Sequence, residues 1–428
     1  MMNKISYSMT NLPQDWEWKS LGEILSNDKY SIKRGPFGSA LKKSFFVENG
    51  IRVFEQYNAI NNDPHWKRYF ISHEKFQELE AFKATEGDLL ISCSGTLGKI
   101  VELPKDTEMG IINQSLLKIR LNNIKILNSY FIYYFNSPIM QEKILESTLG
   151  SAIKNIASVK ILKQIEIPLP PLKKQERIVG ILDESFVKID ESIKILEQNL
   201  LNLDELMQSA LQKAFNPLKD NAKENYKLPQ GWEWKSLGEI GNTSSGGTPL
   251  RNKKEYWENG SIKWLKSGEL NDGYIDFIEE NITEEAIENS SAKIFQKGTL
   301  LIAMYGATAG RLGILNLDSA TNQAVCAFLH KDNKNIKFLE KFLFYFLFFI
   351  RDKIIKDSFG GAQPNISQTY IKNLQIPLPP LKEQEQIAKH LDFIFEKTKA
   401  LKELYTKELK DYEELKQSLL DKAFKGEL

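Results

Sequence analysis

The chain has 428 residues, room for roughly two to four domains, and its 42% hydrophobic and 26% charged residues are the balance of an ordinary globular protein. A net charge of +1 excludes a surface coated in positive charge, while a local basic face offset by acidic helices stays open. Two cysteines without paired spacing, Cys93 and Cys326, argue against a zinc site or a disulfide framework and for free thiols in a reducing compartment.

In chain order, MMNKISYSMT carries no apolar core, so no secretory signal is expected and the expected location is the cytoplasm. LPQDWEWKSLGEI at 12–24 returns as LPQGWEWKSLGEI at 228–240. Strands are expected from Ile51 to Tyr57, Asp88 to Ser92, Leu300 to Tyr305 and Val325 to Leu329, with helical segments at 128–146 and 336–356. GDLLISCSGTLGKI at 87–100 is echoed by GTLLIAMYGATAGRLGI at 298–314, and Asn113-Gln114 by Asn322-Gln323. FLFYFLFFI at 342–350 is too short to span a bilayer and reads as a buried core helix; no membrane association is expected.

IPLPPLKKQERI at 167–178 returns as IPLPPLKEQEQI at 376–387. Its prolines fix φ and push their predecessors out of the α region, so each copy is an extended piece that opens a helix. From Leu172 only Gly180 interrupts a helical pattern before Asn216-Pro217, and from Leu381 to about Phe424 there is no Gly or Pro. ELMQSALQKAF at 205–215 matches ELKQSLLDKAF at 414–424. The chain is thus a tandem duplication in which the long helices keep a constant offset. Residues 25–85 and 241–297 hardly resemble each other. The expected segments are globular parts at 1–166 and 228–375, long helices at 167–215 and 376–428, and a linker at 216–227.

The first helix carries Leu182, Phe186, Ile189, Ile193, Leu196, Leu200, Leu203 and Met207 at steps of 3 and 4, a heptad seam. The second offers Leu391, Ile394, Leu401, Tyr405, Tyr412, Leu415 and Leu419. At 1.5 Å per residue each helix is about 65 Å long, more than one globular part can cover. The pattern predicts that the two pack on each other, antiparallel, and hold the globular parts apart. A seam packed on its own globular part is the plainer alternative.

No catalytic constellation is visible. The four histidines (His65, His73, His330, His390) are scattered, and neither SGTLG nor YGATAG fits a P-loop or dinucleotide fingerprint, so their glycines read better as strand-to-turn positions than as a phosphate cradle. The side chains present suit DNA. Lys29, Lys33, Arg34, Lys42 and Lys43 crowd around the Gly-Pro-Phe-Gly turn at 35–38, and Gln56, Tyr57 and Asn58 follow an expected strand end. In the second copy Gly247 and Thr248 precede Arg251, Lys253 and Lys254, and Lys266 and Ser267 follow a strand. Thr96, Tyr305 and Thr308 on the glycine turns complete the candidates. Lysine and arginine neutralise phosphates, while Arg, Asn and Gln bond base edges. Solvated loops with ordinary charges are the bland alternative; Asn113-Gln114 and Asn322-Gln323 read equally as base readers or as buried amides.

The repeated LPQDW and LPQGW, the repeated IPLPPLxxQxxI, the QxxLxxAF helix ends and the GGTP…YW…I.W segment at 246–264 together resemble the specificity subunit of a type I restriction–modification system, over essentially the whole chain. The resemblance implies a mixed α/β (α+β) fold: two target-recognition domains, separated by two long antiparallel coiled-coil helices, with an internal pseudo-twofold repeat. It implies a non-catalytic subunit that reads a split site in double-stranded DNA, one half per domain. It also implies two modification subunits that methylate adenine N6 and two restriction subunits, with S-adenosylmethionine, ATP and magnesium on those partners and no cofactor here. No NPPF- or DPPY-like methyltransferase motif and no Walker lysine occur, which weighs against a self-sufficient methyltransferase. A coiled-coil scaffold with two protein- or glycan-binding heads is the remaining alternative.

Overall fold

The computed structural model describes residues 12–146, 156–215, 228–331, 337–358 and 365–428; the expected linker at 216–227 lies outside them. The chain divides into two compact units, Met1–Leu196 with Thr406–Leu428, and Glu197–Tyr405. Residues 1–166 fall in the first and 228–375 in the second, and each long helix contributes to both.

The repeated motifs pair with one another inside each unit. In the first, Glu17–Ser20 lies antiparallel to Glu166–Leu169, with Trp18 opposite Pro168. In the second, Glu233–Ser236 lies against Gln375–Leu378, with Trp234 opposite Pro377. A two-stranded ribbon suits this sequence, because a proline in a central strand would forfeit a ladder bond. The SLGEI that follows is a capping box: the Glu23 carboxylate accepts from the Ser20 amide and hydroxyl at 2.8 and 2.7 Å, and Glu239 from those of Ser236 at 2.6 and 2.7 Å.

The glutamine of IPLPPLxxQ holds the strand-to-helix corner. Gln175 is fully buried, accepts from the Leu127 amide (2.9 Å) and donates to the carbonyls of Lys125 (3.0 Å) and Pro170 (2.8 Å). Gln384 repeats the arrangement with Leu339 (2.8 Å), Lys337 (3.2 Å) and Pro379 (2.9 Å). A buried amide with its donors and acceptor all engaged fixes one geometry for the corner.

Each unit has two further sheets, in matching order apart from one edge strand added in each, Phe46–Val47 in the first and Gly273–Ile275 in the second. The first unit has an antiparallel sheet in the order Ile32–Arg34, Leu116–Ile119, Leu89–Ser92, Ile100–Glu102, and a mixed one in the order Phe46–Val47, Tyr69–Ile71, Ile51–Phe54, Gly110–Ile112, Lys83–Ala84. The second has Gly241–Ser245, Val325–His330, Leu300–Ala303, Leu312–Leu315 and an added Gly273–Ile275, then Asn281–Ile282, Ile262–Leu265, Ser319–Thr321, Ile294–Phe295. The divergent stretches therefore fold alike. The apolar runs Leu89–Ser92 and Leu300–Ala303 are buried throughout, as central strands covered on both faces are. The strand from Ile51 stops at Phe54, short of the expected Tyr57, because Gln56–Ile60 turns into a short helix.

The long helices run Leu172–Phe215 and Leu381–Lys425. The apolar run expected as a core helix is one: Glu340–Phe349 has Phe342 to Leu347 buried. The Ala-Phe helix ends are anchors. In the first unit the Phe424 ring stands edge-on to Tyr130 and Tyr134 at 5.4 and 5.0 Å. In the second, Phe215 packs against Phe342 and Phe346 at 5.3 and 5.6 Å.

In both units the helices pack on each other, antiparallel. In the first unit, Leu182 shares a core with Leu420, Ala423 and Phe424, and Asp190 pairs with Lys416. In the second, Asp204 pairs with Lys402, while Leu211 and Phe215 share a core with Ala388 and Leu391. On the first helix Leu182, Ile189, Leu196 and Leu203 are buried seven residues apart, with Phe186, Ile193, Leu200 and Met207 half-buried between them. On the second helix Leu391 is buried and Ile394 and Tyr405 half-buried, but Leu401 and Leu415 correct the expected seam: they are 38% and 45% exposed. Their places belong to Thr398, Lys402, Leu409 and Lys416, whose lysine stems cover apolar surface while the ammoniums reach Asp204 and Asp190.

Both cysteines are free and buried, and burial pushes each thiol up to about 12. Among the described residues no helix is long and apolar enough to cross a membrane, and no group of His, Cys, Asp or Glu is placed to hold a metal ion.

Candidate nucleic-acid interface

Parallel pairing brings two strand ends together in each unit. Ile51–Phe54 runs parallel to Gly110–Ile112, so the loops at 55–58 and 113–114 leave from the same edge. The Asn113 amide donates to the Phe54 carbonyl at 3.0 Å, and the Asn322 amide to that of Leu265 at 2.9 Å. The Asn113 side chain accepts from the Ser115 amide (3.0 Å), and that of Asn322 from Ala324 (3.2 Å). The asparagines thus shape the turn, whereas Gln114 and Gln323 at its tip are exposed.

The glycine turns meet the same place. The Gly35 amide donates to Leu116 at 2.9 Å, and a Cβ on Gly35 would lie 1.8 Å from the Asn113 carbonyl oxygen, so only glycine fits. In the second unit the Gly247 amide donates to Thr321 at 2.9 Å, a Cβ on Gly246 would lie 2.0 Å from the same oxygen, and one on Gly247 2.1 Å from Ser291 Oγ. A fourth segment joins each cluster: the Cys93 amide donates to Ser115 (2.8 Å) and that of Met304 to Ala324 (2.7 Å), which sets the turns at 93–98 and 304–310 beside the Asn-Gln turn. The glycines of SGTLG and YGATAG serve these hairpin turns, Gly95, Gly98, Gly306 and Gly310 all with positive φ. Thr96 and Tyr305 are exposed there and Thr308 is half-buried.

In the first unit the expected basic cluster splits. Lys33 and Arg34 alternate across a strand. Lys33 lies opposite Lys118 with its ammonium over Tyr30 and Phe82 at 5.4 and 5.1 Å, while the Arg34 guanidinium lies 5.5 Å over the Phe37 ring at the turn. Lys42 and Lys43 are exposed just beyond. Gln56 is half-buried, and Tyr57 is exposed, stacked on Trp66 with centroids 4.4 Å apart. Asn58 corrects the expectation of a base reader. It is fully buried; its Oδ1 accepts from the Glu55 amide (2.9 Å) and its Nδ2 donates to the carbonyls of Asp63 (2.9 Å) and Trp66 (2.8 Å). The buried Arg52 guanidinium also donates to the carbonyls of Pro64 and Trp66, at 2.9 and 2.8 Å. Together they clamp the loop that carries Trp66, Lys67 and Arg68, residues outside the candidates read from sequence.

In the second unit the segment at 246–264 folds into one assembly. Buried Trp264 donates to the Gly247 carbonyl at 3.0 Å. The Arg251 guanidinium lies 3.8 Å over Trp257, and Lys253 reaches the Tyr256 hydroxyl at 3.1 Å. Thr248 is exposed and its hydroxyl donates to Gln323 Oε1. Arg251 and Lys266 share one acid, Glu280, at 2.6 and 2.7 Å; Ser267 starts the next turn, half-buried. Burial pushes the Glu280 carboxyl up, but the bonds from Lys266 and Arg251 outweigh it and leave it below its usual value. No sequence pattern pointed to Glu280, which sits where the copies diverge.

Comparison with known proteins agrees with this duplicated geometry. The profile described as "Type I restriction modification DNA specificity domain" matches twice, at residues 13–202 and 229–411. The MjaVIII specificity subunit of Methanocaldococcus jannaschii is 27% identical over 97% of this chain and 94% of its own length. Two shorter matches, to type I specificity subunits of Escherichia coli (31%) and M. jannaschii (34%), cover 37% and 39% of this chain and only 40% and 38% of those relatives. Among solved structures, a chain from a type I restriction–modification assembly superposes with a TM-score of 0.76 at 23% identity, over 97% of this chain and 99% of that one. The HsdS subunit of Thermoanaerobacter tengcongensis gives 0.61 at 22% over the full length of both, so these two bear on the fold alone. With both copies of the profile spanning most of its length, the chain belongs to the family of type I restriction–modification DNA specificity subunits.

Proposed function

We propose that each unit reads one half of a split site in double-stranded DNA through its four converging loops, and that the long helices present this reader to two modification and two restriction subunits. One observation carries the reading: the same four loops meet at the same glycine-tight turn in both units, with different exposed side chains. Phe37 and Tyr57 stand where the second unit has Thr248 and Gly268, while Gln114 and Gln323 are the same residue in both. A shared frame with exchanged tips is what two half-sites of different sequence require. The chain itself is proposed to supply no catalytic group and no cofactor; S-adenosylmethionine, ATP and magnesium belong to the partners, in the cytoplasm. A scaffold with protein- or glycan-binding heads has no support in the family match.

The test is binding of duplex DNA by the chain assembled with its modification subunit, followed across a salt series. Lys42→Ala with Lys43→Ala should weaken binding to every sequence and lower the salt slope by about 2, as loss of two phosphate contacts does. An unchanged slope would place these lysines away from DNA, and methyl transfer by the purified chain alone would overturn the non-catalytic reading.

A further inference from the structure

Phe37 stands out in the first unit as an aromatic ring that is 67% exposed on the glycine turn of the loop cluster. It is held there rigidly. Gly35 before it has no space for a side chain, Pro36 is buried with fixed φ, and Gly38 after it sits at φ +62°, a conformation that favours glycine. The Arg34 guanidinium 5.5 Å away covers one side of the ring and brings a positive charge to the same point. Exposed Gln114 has its backbone against Gly35, two residues before the ring, and exposed Lys42 and Lys43 follow in the chain. A rigid turn that offers an apolar ring between a base-edge amide and phosphate-neutralising lysines has the chemistry of a wedge side chain, which enters a base step and kinks the duplex. Among the described residues, the glycine turn of the second unit carries no ring at the matching position. In the matching place Thr248 is short, and its hydroxyl is bonded to Gln323.

Resting on the DNA-reading function above, we propose that Phe37 inserts between adjacent base pairs of the half-site read by the first unit, and that the second half-site is read without insertion. A held-out ring loses little freedom on insertion, and stacking tolerates any base, so the wedge sets the position and bend of the duplex while Gln114 and neighbouring side chains read edges. Flexible pyrimidine–purine steps would open most easily, and specificity at that step comes from deformability.

The experiment uses the chain assembled with its modification subunits and duplexes of the site found by methylome sequencing. 2-Aminopurine is placed at successive positions of each half-site, outside the methylated base. The expected result is a severalfold fluorescence rise at one step of the first half-site and none in the second. Phe37→Ala should abolish that rise and weaken binding roughly tenfold, while Phe37→Leu, still a wedge, should retain part of both. A flat signal across the first half-site with the DNA bound, or a rise that survives Phe37→Ala, overturns the insertion and leaves DNA reading intact. Loss of subunit assembly in Phe37→Ala with the fluorescence unchanged would assign the ring to a protein contact instead. Absence of any sequence preference in the wild-type complex would sink both proposals at once.

Discussion

Glu280 ties up both Arg251 and Lys266 in ion pairs. Both cations are already engaged with this carboxylate, and Arg251 is also stacked on Trp257, so neither is a free phosphate contact until Glu280 lets go. Its carboxyl is held below its usual value, so its contribution to stability is present above the unfolded pKa of about 4.3 and is lost as pH falls through the lower folded value. Thermal unfolding measured from pH ~5 down to pH ~3 should therefore show a steeper loss of Tm in the wild type than in Glu280→Gln. Parallel curves would mean that the triad adds nothing. At this scale the sequence showed which residues were tightly constrained better than which ones faced outward. The repeated Asn113 and Asn322 mark the cluster because their repetition reflects backbone contact, while Gln114 and Gln323 beside them face outward. Asn58 looked like a reader and is a buried clamp, since its side-chain type suits both tasks and only its surroundings choose.

The long helices show the limit of reading a seam by hydrophobicity. The first helix was legible because its buried line is apolar throughout. The second hides its seam behind Thr398, Lys402 and Lys416, so the apolar residues beside it, Leu401 and Leu415, looked like the contact. The two alternatives predict opposite results. Leu182→Ala removes a fully buried side chain and should cost about 2–5 kcal/mol in denaturant unfolding. Leu415→Ala, at an exposed position, should change stability by no more than about 0.5 kcal/mol. Equal losses would put Leu415 back on the seam. The sheets carry the complementary lesson. Residues 25–85 and 241–297 share almost no sequence yet, apart from one edge strand added in each, give the same strand order, because buried apolar strands and glycine-tight crossings specify the frame and leave the loop tips free to differ.

At the scale of the molecule, the duplication and the equal helices carry the functional claim. If the helices set the distance between half-sites, seven residues inserted between Leu196 and Leu203 keep the seam in phase and add about 10 Å. At roughly 3.4 Å per base pair that is about three pairs and some 100° of rotation, which must be met by twist in the protein or the DNA. The expected outcome is an unread spacer about two to three pairs longer with both half-sites kept, at lower activity; the original spacer in the methylated sites would assign the spacing to the partner subunits. The most direct test of the central claim, that each unit reads its own half-site, is genome-wide mapping of N6-methyladenine in cells that express the chain with its modification subunits. The mapping is done before and after residues 25–165 are exchanged for the matching region of another specificity subunit. The expected result is a split methylated motif in which one half changes with the exchange while the other half and the spacer stay the same. A motif that changes in both halves, or that appears without this chain, would contradict it.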